Sequence, residues 1–284
     1  MSAAHSLPPA DTVEVVLAKI KDIAVLPQVV FKIMEMTGNE AASAGELEAA
    51  IIVDPGFSAK LLALANSASF SLPKKVTSIR DAVMFIGLRQ VRQAAMAVGV
   101  FDMFVGKTDK ESLRRRSWWR QSVDTALCAR SLSERFNAGP PELAYTTGLL
   151  HLIGKTLLDR YESKEYEKVT LLCERGVTDF QAEQAVYGCH HILVAEGAAK
   201  KWGFPEELAT GLNYMQPHED PKVSQARAIL AVSHRIASIA RDGADGGANL
   251  PEWAVPALPP AAQDQAKLVE AGLAAIAAGA HLHM

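Results

Sequence analysis

The stretch Gly148–Tyr161, GLLHLIGKTLLDRY, sets one histidine, His151, among leucines and isoleucine spaced as on the face of a buried helix. An imidazole in such surroundings bonds to a carbonyl or to another histidine, with His191 the candidate partner, or it belongs to a buried site. The same spacing runs outward along the chain: Val13, Val16, Leu17 and Ile20; then Val29, Val30, Ile33 and Met34; then Leu61, Leu62 and Leu64. Strand-like alternation is nearly absent. Helix starts are marked by capping pairs, in which an oxygen side chain covers free amides and an acid or amide three residues on reaches back: Asp11 with Glu14, Ser43 with Glu46, Thr178 with Gln181. Asp54-Pro55 has the order of a cap followed by a first-turn proline. The expected fold is all-α, with roughly a dozen helices of modest length and short connections.

With 284 residues, 49% of them hydrophobic, the chain can bury a sizeable core. Its 29 basic and 32 acidic residues give a net charge of −3, which excludes a global bias towards nucleic acid or anionic lipid. Cys128, Cys173 and Cys189 form no C-x-x-C pair, so neither a disulfide framework nor a thiolate zinc site is indicated. The first residues lack the order of a secretory signal, and no apolar run approaches the roughly 20 residues of a membrane span. The expectation is a cytoplasmic protein with no membrane contact. Residues 1–11 read as disordered or extended, 12–241 as the body, and 242–284 as a Gly/Pro-rich linker followed by an amphipathic helix over Gln263 to Gly279 that docks on the body or on a partner.

Three further stretches belong with the first, because a buried metal or phosphate site is assembled from several helices facing one cavity. They are WWRQSVDTALCARSL from Trp118, YGCHHILVAEGAAKKWGFP from Tyr187 and ILAVSHRIASIA from Ile229. In this order they resemble the HD superfamily of metal-dependent phosphohydrolases. The resemblance is closest to its divergent relative, the HDOD (HD-related output domain) family. The N-terminal part is similar to an HDOD domain as well, in LPQVVFKIMEM, IIVDPGFSAKLLALANSASFSLPKKVTSI and DAVMFIGLRQVRQ. The resemblance implies a helical N-terminal half, about 12–106, and a degenerate HD-like half, about 107–241.

It also implies a set of pocket positions: Gln121 stands where metal-binding relatives have the first histidine, Leu152 where they have the aspartate beside His151, and His234 where they have the late aspartate. Tyr214 and Met215 stand where relatives commonly show two histidines before a proline. Only His151 and one of His190 or His191, with His191 the better placed, remain in register, the other ring of the pair being expected to face solvent; His151 and His191 together are the one weak candidate for holding metal. Such hydrolysis needs a divalent ion to neutralise phosphate oxygens and lower the pKa of a bound water, with a carboxylate bridging it. Leucine supplies none of this, and Asp159 lies about 12 Å further on along a continuous helix. Glutamine is a poor substitute for imidazole.

Lys155, one turn from His151, and Arg120 are candidate anion contacts. The basic segment Lys107 to Arg120 reads as a helix start with a solvated basic face, its tryptophans mostly inward and Arg114, Arg115 and Arg116 spread around the axis, rather than as a nucleic-acid site. Asn66 and Ser67 are expected to bond backbone groups in a helix connection. The resemblance therefore implies a catalytically inactive, bacterial signal-transduction module with no cofactor, acting on a signalling protein or a small ligand. A ligand is expected at the junction of the two halves. The alternative is a residual phosphohydrolase built on His151 and His191.

Overall fold

A computed structural model describes residues 9–19, 28–37, 43–53, 55–67, 70, 72, 75–105, 109–242 and 249–279; among these the fold is all-α, with no strand. The N-terminal half contributes α1 (Pro9–Lys19), α2 (Gln28–Thr37), α3 (Ala44–Ile51), α4 (Pro55–Ala65), α5 (Ile79–Ile86) and α6 (Leu88–Phe104). There follow α7 (Asp109–Phe136), α8 (Pro141–Leu150), α9 (Ile153–Tyr161), α10 (Ser163–Glu174), α11 (Asp179–Tyr187), α12 (His191–Lys201), α13 (Glu206–Gly211) and α14 (Pro221–Asp242). The chain closes with α15 (Ala254–Ala257), a 3-10 turn at Pro260–Ala262 and α16 (Gln265–Ala278). Two helices exceed the modest length expected: α7 has 28 residues and α14 has 22, and both carry site residues.

Local chemistry explains several starts. Ser43 and Glu46 form the reciprocal capping box at α3. Thr178 takes the Gln181 amide at α11, but its hydroxyl donates to the Gln181 side chain, so only half of the expected box forms there. α1 starts at Pro9, two residues ahead of Asp11, the start read from the sequence. Asp54 lies outside the described residues, while α4 does begin at Pro55. Asn66 clamps Val76 at both backbone groups, donating to its carbonyl at 2.8 Å and accepting from its amide at 2.8 Å. Ser67 departs from expectation: its hydroxyl is buried without a partner.

The helix read through Gly148–Tyr161 is in fact two. α8 ends at Leu150, His151 and Leu152 form a turn, and α9 starts at Ile153. No proline or exposed glycine marks the break. Its cause is packing: a Cβ on Gly154 would sit 1.8 Å from the His191 carbonyl oxygen, so the start of α9 lies directly on the start of α12. Gly148 does the same for α8, where a Cβ would lie 2.5 Å from the Ala126 Cα on α7.

Two other expectations are corrected. The cleft between the halves is closed over most of its area, because one apolar core runs from Val30, Ile33 and Leu61 through Val91, Trp119 and Tyr145 to Leu149 and Leu212. The Gly/Pro-rich segment is not an extended linker where it is described. Leu250, Ala254, Val255, Leu258 and Ala262 are buried in a second core with Ile229, Val232 and Ile236. Prolines forbid a long helix there, but single turns still bury apolar side chains. α16 docks on α7 and α14, and Gly272 permits the approach, since a Cβ there would stand 2.6 Å from the Cys128 sulfur.

Candidate functional site

The break after Leu150 turns His151 into the interior, where it is fully buried. A carbonyl can only accept, so the His151 Nδ1–H donates to Gly148 O at 2.6 Å and Nε2 is left as an acceptor. His234 Nδ1, 2.9 Å away, must then carry the proton that fills it. Gln121 Nε2 stands 3.4 Å from that same nitrogen, but donor faces donor and no hydrogen bond forms. Instead the Gln121 amide donates to Ser238 Oγ at 3.2 Å and its oxygen accepts from Arg241 Nη1 at 2.8 Å. His234, Ser238 and Arg241 sit at helical spacing on one face of α14, opposite Gln121 on α7.

His191 belongs to a second, adjoining network. Its backbone N–H and its Nδ1–H both donate to Glu183 Oε2, at 2.8 and 2.5 Å, and the Tyr166 hydroxyl donates to Glu183 Oε1 at 2.8 Å. Glu183 is fully buried. A carboxylate behind Nδ1 orients the ring with Nε2 forward, as it does for many metal-binding histidines. Here, however, Nε2 accepts from the Tyr214 hydroxyl at 3.3 Å. The Tyr214 ring in turn packs 5.6 Å from His151 and 5.1 Å from His234 between ring centres, so a phenol occupies the space among the three imidazoles. Gly188, left-handed at φ 73°, ends α11 and lets the chain turn back so that Glu183 and His191 meet.

Of the two partners expected for His151, the carbonyl is present, that of Gly148; the histidine it meets is His234 rather than His191. His190 does not face solvent, being buried against the Phe180 ring. Lys155 is buried and pairs with Asp179, so it meets a carboxylate of the chain itself, while Arg120 is exposed on α7. Arg114 and Arg115 turn inward from the basic segment and pair with the buried Asp159, the acid nearest to His151 in sequence. Sequence reasoning missed Glu183, Tyr166, Asp179, Ser238 and Arg241. The spacing of Ser238 and Arg241 from His234 was a signal; nothing in sequence joins Glu183 to Tyr166.

The residues do not fit a bridged metal centre. The position of the carboxylate is a fully buried leucine, both His151 nitrogens are bonded within the protein, and the His191 nitrogen that would face a metal meets a phenol.

Comparison with known proteins follows the same outline. The HDOD domain family model matches residues 23–218. The chain belongs to the HDOD family. A protein of Treponema pallidum (strain Nichols), described as uncharacterized, is 26% identical over 200 residues, which are 69% of this chain and 38% of that protein. The chain thus spans well under two thirds of this curated relative. An HDOD domain protein with unknown function from Geobacter sulfurreducens shares the fold with a TM-score of 0.73 at 23% identity, over 94% of this chain and 89% of that one. A putative signal transduction protein from Marinobacter aquaeolei VT8 gives 0.71 at 19% identity, over 99% and 67%. Among the described residues of this HDOD protein, no helix is long and apolar enough to cross a membrane.

The buried imidazoles leave a signature in acid. Burial first, then the neighbouring His234, push His151 well below the usual histidine range; burial and Lys155 push His234 down to about 3. Burial also lowers His190 to about 4. Below pH ~6.5 the unfolded chain takes up protons that the native histidines refuse, so stability falls as pH drops from there towards 4. The expected loss by pH ~5.5 is on the order of 1 kcal/mol per imidazole. Urea denaturation at pH 7 and 5 measures it, and equal stabilities at both would mean that the histidines charge freely in the native state.

Proposed function

We propose that this HDOD protein is a regulatory, signal-transduction module that no longer hydrolyses phosphoesters and acts by binding a protein partner or a small ligand. The observation that carries this reading is the plugged pocket: Leu152 in place of a carboxylate and the Tyr214 hydroxyl on His191. A reaction that needs a metal-bound water meets leucine at position 152, and the Tyr214 hydroxyl on the His191 nitrogen that would face the ion. The described signalling role of the Marinobacter neighbour is consistent with it. Nucleic acid is not the favoured partner, since two arginines of the basic segment are used internally.

Elemental analysis of protein purified without an affinity tag or chelator tests the reading. Substoichiometric metal, unchanged by His151→Ala, is the expected result. One metal or more per chain, lost in the variant, would restore a metal-dependent phosphohydrolase built on His151 and His191 and make a phosphoester screen the next step.

A further inference from the structure

The closed junction between the halves opens at one margin, where α6, α7 and α16 meet around a cavity of about 380 Å³. Phe70, Leu127 and Ala275 give it apolar walls, and Gln93, Arg130 and Glu134 give it a polar side. Gln93 is only 8% exposed, yet its amide nitrogen has no hydrogen-bond acceptor. Arg130 Nη2 is likewise buried without an acceptor; the nearest carboxylate oxygen, Glu134 Oε2, is 3.5 Å away, beyond a good hydrogen bond. Two buried donors left open beside a cavity form an arrangement that folded proteins avoid unless something fills it.

The charges restrict what fits. Arg89 pairs with Glu134 at 3.1 Å and Arg130 with Glu142 at 3.0 Å, so two cations already balance two anions. A charged ligand would be left uncompensated in a half-buried place. We infer that this cavity binds a small uncharged molecule bearing an amide or lactam edge. Its carbonyl oxygen accepts from Gln93 Nε2 and Arg130 Nη2, its N–H donates to the Glu134 carboxylate, and its apolar body lies against Phe70, Leu127 and Ala275. The inference rests on reading the chain as a binding module. Its failure would leave that reading intact, since metal analysis decides the latter and a protein partner would satisfy it.

Calorimetric titration of the full chain with benzamide, benzoate and benzamidine tests it, because the three share a shape and differ in charge. Benzamide is expected to bind saturably, with the two ions weaker by about tenfold or more. Gln93→Leu is expected to weaken benzamide by about tenfold while leaving folding stability unchanged or higher, because it removes an unpaired buried donor. Ala275→Phe, which fills the cavity, abolishes binding. No benzamide binding, equal binding of all three, or a loss of stability in Gln93→Leu would each overturn the inference; the last would mean that ordered water already satisfies the amide.

Discussion

Asp159→Ala is expected to destabilise the protein by about 3–5 kcal/mol, because it leaves buried guanidinium charge without its counter-ion. Asp159 is fully buried and Arg115 is 3% exposed. Arg115 Nε donates to Asp159 Oδ2 at 2.5 Å, Arg114 Nη2 donates to Oδ1, and Ser163 Oγ adds a bond at 3.3 Å. Arg114 also lies over Tyr166, 5.4 Å from its ring centre, so the guanidinium cannot swing out to water without losing packing. The ion pairs tie the first turns of α7 to α9, the helix that begins just past His151. Replacing all three charges with apolar residues of similar volume is expected to recover most of the loss, since the pair itself is worth little beyond not being broken. Denaturant unfolding of Asp159→Ala, with the exposed Arg116→Ala as control, decides the matter: a loss under about 1 kcal/mol would mean that water reaches the arginines.

Glu183→Ala is expected to be comparably severe, about 3–5 kcal/mol, since it orphans three buried donors at about 1–3 kcal/mol each: the His191 amide, the His191 ring N–H and the Tyr166 hydroxyl. Glu183→Gln separates shape from charge. Its oxygen still accepts from His191, and the Tyr166 hydroxyl can turn to accept from the new amide, so the expected loss is only about 1 kcal/mol. The carboxylate also makes an acid limb. Burial alone would raise the Glu183 carboxyl, but the ring and backbone N–H bonds from His191, with the positive charge of Lys155, hold it below the usual glutamate range. A depressed carboxyl contributes stability above its unfolded pKa of ~4.3 and loses it as pH falls through its folded value. Glu183→Gln should therefore remove part of the stability loss below pH ~4 while leaving the histidine-driven loss between pH ~6.5 and 4 in place. Identical acid limbs in both proteins would show that Glu183 is protonated throughout.

Much of the architecture was legible because helical periodicity is a local property. The apolar spacing around Val13, Val29 and Leu61 marks helices that the fold contains, and the Ser43–Glu46 pair caps one as its chemistry requires. The pocket positions were legible in part: Gln121, His151 and His234 do converge, and Leu152 is buried where a carboxylate was expected. The partners of those residues were not legible. The sides taken by Arg114 and Arg115 were open, because a helix spreads successive side chains around its axis, and only the approach of α9 shows which of them turn inward.

By itself, then, the sequence determined the all-helical class, from residue types at fixed local spacing, and the family, from the motifs that resemble it. The tertiary structure decided the rest: that the run through His151 breaks in two, that His151 pairs with His234 rather than His191, that Glu183 orients His191, and that Tyr214 fills the space between. The reason is physical. Those features depend on contacts between helices far apart in sequence, and a break such as that at His151 is imposed by Gly154 seated on the His191 carbonyl, a packing constraint that no local preference encodes.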